Sequence, residues 1–372
     1  MFFALTDEQQ AFASTVTEFL ADRFDLEAVR GVVEDPDGDG HPLTLWKGLA
    51  DQGALAVLVP EEHDGLGLGL VDAQVVARAL GAGVAPGPWL ATVLAAEAVR
   101  IAGSAEQQSR WLPALAAGET VGIVALRGEG GAWDGSGITV DANSAEGEST
   151  SRLNGSASPV DYPAVAGLIV VAATDASGTP GLYLVEAGAS GLTVRDQRTY
   201  DGTARVGAVE FADTPAEPLA NGDAAAVRAL LARGAVLNAA DLVGVAREAL
   251  TRTVAYDRDR NQFGVPVGSF QALKHALADL HVAVTMAEHA VLFAAHALDT
   301  DDEGAAIAVA VAGSKAADAA WNATGAMIQF FGGIGFTWEH EAHFFYKRAR
   351  RRAPLFGSAA EHREALFVAT AL

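Results

Sequence analysis

Apolar residues before residue 121 recur at intervals of three and four, from "LTDEQQAFASTVTEFLADRF" to "AEQQSRWLPALAAG", and this period predicts helices. Thr6 and Ser104 stand where helix N-caps belong. Between these helices, "LVPEEHDGLGLGLVDAQVVARAL" places a proline and a glycine cluster ahead of a new helical run, which predicts a loop and then a helix. From about Val121 the texture changes. "VGIVAL", "SRLNGSAS", "AGLIVVAAT", "GLYLVEA", "GLTVRDQ" and "VGAVEFADT" are short β-rich runs separated by Gly, Asn, Asp and Pro, the pattern of a meander or small barrel. Within that region "DANSAEGESTS" (141–151) reads as a flexible loop. The helical period returns from Asp223 in four alanine-rich segments, 223–259, 267–298, 303–331 and 338–350. The expected architecture is mainly α with a β middle: an N-terminal helical domain over 1–120, a β-sheet domain over 121–222 and a C-terminal helical bundle over 223–372.

Charge narrows the partners. The 372 residues carry 25 Lys+Arg against 47 Asp+Glu, a formal charge of −22, which argues against nucleic acid or an anionic membrane as the main partner. A phosphate-bearing ligand would have to be met by a few local arginines and helix N-termini. There is no cysteine, so disulfides, thiolate zinc sites and cysteine nucleophiles are excluded, and a reducing compartment fits. The first 20 residues lack the cationic start and apolar block of a signal peptide, and no run reaches 18 uninterrupted apolar residues. A soluble cytoplasmic protein without a membrane span is expected.

The common catalytic signatures are missing. There is no Walker A sequence, no strand-linked G-x-G-x-x-G and no G-x-S-x-G elbow. "GLGLGL" (65–70) follows a loop and has the wrong spacing; "EHEAH" (339–343) carries histidines at i and i+3 with no third ligand, so a plain helix surface is expected and no metal site. Two features remain. "RNQFGVPVGSFQALKHALADL" (260–280) places Arg260, Gln262, Phe263 and Gln271 around a Pro-Gly turn, and "GAMIQFFGGIGFTWEH" (325–340) runs through Gln329 into Gly332, Gly333 and Gly335. An arginine fork suits a pyrophosphate, and glycines let a backbone approach a ligand closely, although a helix C-cap alone also explains such glycines.

With these two stretches the sequence resembles the FAD-dependent acyl-CoA dehydrogenases over nearly its full length. "LTDEQQAF" is similar to the family's first helix and "LVPEEHDGLGLG" to its v-P-E-e-y-G-G-l-G loop. "YDRDRNQFGVPVGSFQALKHALADL" resembles Y-a-x-x-R-x-q-F-G-x-p-i-x-x-f-Q-x-x-x-x-x-l-A-d-m, and "QFFGGIGFTWE" resembles Q-x-x-G-G-x-G-y-t-x-E. The resemblance implies helical, β and four-helix-bundle domains, and FAD held at a subunit interface. It further implies that Arg260 and Phe263 contact the cofactor's diphosphate and adenosine portion, with Gln262 and Gln271 beside them. Gln329, Gly332 and Gly333 would form a second strip contributed by a neighbouring subunit. An acyl-CoA substrate, an acceptor such as an electron-transfer flavoprotein, and a homo- or hetero-oligomer built as a dimer of dimers follow from the same resemblance.

The resemblance weakens at the chemistry. Removing the substrate's α-proton needs a carboxylate base. Most members carry it in a segment like I-Y-E-G-T, which here reads "LFGS", with Gly357 and no glutamate. Other members carry it about 26 residues before the matched arginine, where this chain has Gly234. The loop resembling a-l-T-E-p-x-a-G-S-D reads "VALRGEGGAWDGSG" (124–137), with Glu129 a loose match, and the W-I-T segment reads "ASPVDYPAVA" (157–166). Asp241, seven residues and about two turns beyond Gly234, is the best candidate for a relocated base; Glu361 and Glu364 are weaker ones. The sequence looks like some actinobacterial members that pair a Glu-bearing subunit with a Glu-less one in a heterotetramer, whose substrates include CoA thioesters of steroid side chains or ring fragments; whether this chain's acyl-CoA is fatty-acyl, branched or steroid-derived stays open. Three readings stand: a relocated base, a subunit that works only with a partner, or a non-catalytic partner. A flavin oxidase or monooxygenase relative is a fourth.

Overall fold

The structure is a computed structural model that describes residues 4–144 and 150–370. Its helices are α1 (Asp7–Arg23), α2 (Leu26–Val33), α3 (Leu43–Asp51), α4 (Leu70–Ala82), α5 (Trp89–Ala102), α6 (Ala105–Ala116), α7 (Ala224–Asp259), α8 (Gln271–Asp299), α9 (Ala305–Phe330), α10 (Ala342–Arg352) and α11 (Ala359–Thr370). The strands are β1 (Gly122–Ala125), β2 (Val140–Ser144), β3 (Ser151–Asp161), β4 (Leu168–Thr174), β5 (Pro180–Glu186), β6 (Leu192–Gln197), β7 (Val206–Pro218), and the pair β8 (Asn261–Gln262) and β9 (Val265–Pro266). The order of helices, sheet and long helices matches the sequence reading. Two compact units emerge. One gathers the chain through Val33, Leu70–Ala85 and the chain from Ala235 onward; the other comprises Glu34–Gly69 and Pro86–Gly234.

In the second unit β1 runs parallel to β4, and β4, β5, β7, β3 and β2 close a ring: β4 pairs with β5 and β5 with β7, while a single bridge, Asp141 to Thr174, joins β2 to β4. The barrel reading therefore holds. β4 has six consecutive buried residues, Leu168 to Ala173, as expected of a strand covered on both faces. Helix α5 lies on this sheet, where Thr92 Oγ1 donates to the Gly122 carbonyl at 2.9 Å. The stretch 141–151 does not behave as one loop: residues through Ser144 belong to β2, Ser151 opens β3, and 145–149 lie outside the described residues. Antiparallel pairing to β3 overrides the polar composition that suggested a loop.

In the first unit α1, α4 and α7 to α11 pack as a helical bundle. The expected cap at Thr6 is present as a full capping box with Gln9, as is the one at Ser104 with Gln107 in the other unit. Helices α4 and α7 approach backbone to backbone at two glycines. A Cβ on Gly81 would stand 2.1 Å from the Asp241 carbonyl oxygen, and one on Gly244 would stand 2.0 Å from that of Arg78. Either substitution would force the helices apart. Helices α7 and α8 are both long and apolar enough to cross a membrane by length and composition, which the absence of an unbroken apolar run did not suggest. The most apolar window of α7 is 83% buried, as befits a core helix, while that of α8 is only 17% buried.

Candidate functional site

The ends of two helices, α7 and α9, meet where the sequence features lie. Tyr256 in the last turns of α7 stacks on Phe331, just past α9, with ring centroids 4.3 Å apart, and its hydroxyl donates to the Phe331 carbonyl at 3.2 Å. Arg260 follows one turn after Tyr256, its N–H on the Tyr256 carbonyl at 2.8 Å, and Gly332 follows Phe331 directly. The two motifs thus share one end of one bundle. Neither Tyr256 nor Phe331 was singled out from sequence, although the helical spacing of Tyr256 and Arg260 is a usable signal.

After Arg260 the chain folds back as the β8–β9 hairpin, a pairing of two residues on each side that periodicity could not reveal. Its tip carries Phe263, 91% exposed and with φ +54°, a left-handed conformation that costs a phenylalanine energy. A large ring held out of the core on a strained backbone is not explained by folding. Gln262, next to it, is exposed, and its amide donates to the Asn261 carbonyl. The Arg260 guanidinium is exposed and makes no hydrogen bond or ion pair to a described residue. Gln271 is the exposed first residue of α8, whose N-cap, Phe270, supplies no side-chain bond. The N-terminus of a 29-residue helix is therefore left without a side-chain cap, a short way along the chain from the unpaired Arg260.

Across the junction, Gln329 is exposed near the end of α9. Two of the three glycines after it are required by the chain itself. Gly332 has φ +65° and terminates the helix; a Cβ on Gly335 would strike the Ile328 carbonyl oxygen at 2.7 Å. Gly333 has neither reason: its φ is not left-handed and a Cβ there would meet nothing within 4 Å. Nothing in this chain requires a glycine there. The segment beyond is clamped by Arg30 of α2, which donates to the carbonyls of Trp338 and Glu339, both at 2.9 Å. Among the described residues no group of three or more His, Asp and Glu side chains is gathered at "EHEAH" or elsewhere, and His343 stacks on Trp338 at 4.5 Å.

Asp241 is not placed to act as a base. It is 4% exposed, and Arg348 grips it with Nε on Oδ1 at 3.0 Å and Nη2 on Oδ2 at 2.5 Å; Arg352 Nε lies 3.1 Å from Oδ1. Burial pushes its carboxyl pKa up, but the Arg348 and Arg352 guanidiniums outweigh that and hold it below the usual carboxylate range. A carboxylate with both oxygens engaged and a lowered pKa is a poor proton acceptor. Its geometry is that of a structural counter-ion, which argues against the relocated base expected at Asp241. The same cluster includes Asn238, whose amide donates to the Arg352 and Leu355 carbonyls, both at 3.1 Å. It ties α7 to the segment that ends in Gly357. Gly234 is buried inside α7, and Gly357 has φ +114°. Glu361 is exposed and occupied in the cap of α11, where it accepts from the Ser358 N–H at 2.7 Å; Glu364 is exposed.

In the β unit, the loop after β1 is closed on itself. The Arg127 guanidinium lies 4.4 Å over the Trp133 ring, and the Arg127 carbonyl accepts from Ser158 N at 3.0 Å. Glu129 is exposed at the outside of this loop.

Comparison with known proteins accounts for this arrangement. Residues 6–119 match the acyl-CoA dehydrogenase N-terminal domain and residues 221–368 the acyl-CoA dehydrogenase C-terminal domain. Acyl-CoA dehydrogenase IpdE2 of Mycobacterium tuberculosis is 33% identical over 356 residues, covering 95% of each chain. The chain belongs to the acyl-CoA dehydrogenase family. Among solved structures, the ChsE4-ChsE5 complex from Mycobacterium tuberculosis superposes with a TM-score of 0.90 at 29% identity, covering all of both chains. A variant of the Tcur3481-Tcur3483 steroid acyl-CoA dehydrogenase gives 0.89 at 29% identity, covering 97% of this chain and 96% of that one. Acyl-CoA dehydrogenases are FAD-dependent oxidoreductases acting on the CH–CH bond of an acyl-CoA. The bundle end fits that cofactor: an unpaired arginine and an open helix N-terminus suit a diphosphate, Phe263 offers a ring face, and Gly333 leaves room for close approach.

Proposed function

We propose that this acyl-CoA dehydrogenase chain is the base-less subunit of a hetero-oligomer whose other subunit carries the catalytic glutamate. The observation that carries this reading is the fate of the base. Gly234 and Gly357 have no side chain to offer, and Asp241 is bound on both oxygens by guanidiniums. In this reading Arg260, Gln262, Phe263 and Gln271, with Gln329, Gly332 and Gly333, form the wall of an FAD site shared with the other subunit. FAD, when bound, would supply the acceptor for the hydride leaving the acyl β-carbon. Arg260 and the α8 N-terminus neutralise its diphosphate, Phe263 shields its adenosine portion from water, and Gly333 lets the backbone lie against it. The α-proton goes to the partner's carboxylate, giving the 2,3-enoyl-CoA.

A steroid-derived or other bulky acyl-CoA is the substrate class favoured by the relatives, since one of the similar structures is a steroid acyl-CoA dehydrogenase. An electron-transfer flavoprotein is the acceptor that fits, and the cytoplasm is the compartment that fits a cysteine-free chain. The test is flavin content. The complex co-purified with a Glu-bearing partner holds FAD, and Arg260→Ala lowers its flavin occupancy at unchanged assembly; full retention of flavin in that variant removes Arg260 from the site.

A further inference from the structure

Asp257 lies one turn before Arg260, and its side chain is 1% exposed. Neither of its carboxyl oxygens has a hydrogen-bond partner. Over it folds the 3-10 turn Val267–Ser269, which returns from the hairpin: Val267 N donates to the Arg260 carbonyl at 2.8 Å, and a Cβ on Gly268 would come within 2.9 Å of the Asp257 carbonyl oxygen and 3.3 Å of its Cβ. The turn is seated on Asp257 with no room to spare. Everything beyond that seat is lightly held. Residues 260–266 are all exposed and the hairpin has only two paired residues per strand.

We propose that Asp257 is a positioning residue: its buried, unpartnered carboxyl group sets how firmly the Val267–Ser269 turn is seated on α7, and through that turn where Arg260 and Phe263 are presented. The proposal rests on the reading of Arg260 and Phe263 as cofactor contacts, but the seat itself does not.

A neutral carboxylic acid is tolerated in such a place; a carboxylate with no donor facing it is not. Burial is the only influence on this group and pushes its pKa from 3.8 up to about 6. The charged groups around it, Arg258, Asp259 and Arg260 on its own element and Lys274 and His275 on α8, are exposed to solvent, which screens them. The sign follows from linkage. The seated state holds its proton more tightly than the lifted state, so the stability of the seat is full below pH 4 and is lost as pH rises to about 6. The difference of about two pKa units corresponds to about a hundredfold change in the opening equilibrium. At neutral pH the arm is loosely seated, and a ligand or partner that neutralises or covers Asp257 firms it.

Hydrogen exchange of the full-length protein tests this. Amides of 260–270, corrected for intrinsic exchange, should lose protection up to about a hundredfold between pH 4 and pH 6, then level off. In Asp257→Asn the protection should stay at the low-pH level throughout. Gly268→Ala, which unseats the turn sterically, should abolish protection at every pH. Equal, pH-independent protection in the wild type and Asp257→Asn overturns the proposal. Arg260→Ala should leave the exchange profile unchanged while lowering flavin occupancy, so failure of the cofactor reading and failure of the seat are told apart.

Discussion

The imidazole of His362 stands in the space that a side chain at position 357 would require. Its Nε2 lies 2.9 Å from the position of a Cβ built on Gly357, and only 2.3 Å from one built on Gly313 of α9. The ring is wedged between two backbones that carry no side chain, and α11 docks on α9 through it. A side chain at position 357 would therefore have to displace this ring.

That packing makes a glutamate at position 357 hard to introduce. Gly357→Glu would have to push aside a ring held from behind by Gly313, at a position with φ +114° that L-residues rarely adopt. The expected cost is on the order of 1–3 kcal/mol. Thermal denaturation should show the variant destabilised, and dye reduction should show no gain of turnover. A stable Gly357→Glu protein with new acyl-CoA dehydrogenase activity would show that the site had merely lost its carboxylate.

Asp241→Asn separates counter-ion from base. Removing the charge leaves Arg348 and Arg352 buried without a counter-charge, and breaking a buried pair costs about 3–5 kcal/mol. The variant should unfold at lower denaturant concentration, while the fraction that folds and assembles with a partner keeps its turnover. Unchanged stability with activity lost would return Asp241 to the role of base.

His362 gives the bundle an acid-sensitive contact. Burial pushes its imidazole pKa below the ordinary 6.5, with Glu361 and the Gly357 backbone opposing in part. The folded state then binds fewer protons than the unfolded state, so the stability that α11 draws from this seat is full above pH 6.5 and declines as pH falls below it. The Arg363–Asp318 ion pair at 2.8 Å also joins α11 to α9, but both partners are half exposed and it contributes little. Stability measured between pH 7 and pH 5 should decline in the wild type, and the decline should be shallower in His362→Gln. Identical slopes would place the acid sensitivity elsewhere.

Much of the fold was legible because it is periodic. Four long helices, six of the seven strands of the main sheet and the caps at Thr6 and Ser104 follow from spacing that local sequence preserves. Helix α11 had a signal that went unread: Ser358 and Glu361 form a capping box, with Glu361 N on Ser358 Oγ at 3.2 Å. The hairpin of β8 and β9 is too short for any period, and β2 is polar enough to pass for a loop. In the candidate site, the arginine and the glycines were visible as a motif, but the role of Asp241 was not. Its partner Arg348 lies 107 residues away, and nothing in "NAADLVGVA" distinguishes a base from a buried counter-ion. The lone carboxyl of Asp257 is likewise a fact of packing.

Turnover with and without a partner tests the central claim most directly. General-base catalysis contributes about 10²–10⁴-fold, so a chain that offers no base should show little or no dehydrogenation by itself. Dye reduction across straight-chain and steroid-type acyl-CoA esters should be at background for this protein alone, even with FAD supplied. It should appear on addition of a Glu-bearing homologous subunit and disappear when that subunit's glutamate is changed to glutamine. Robust turnover by this chain alone would contradict the account.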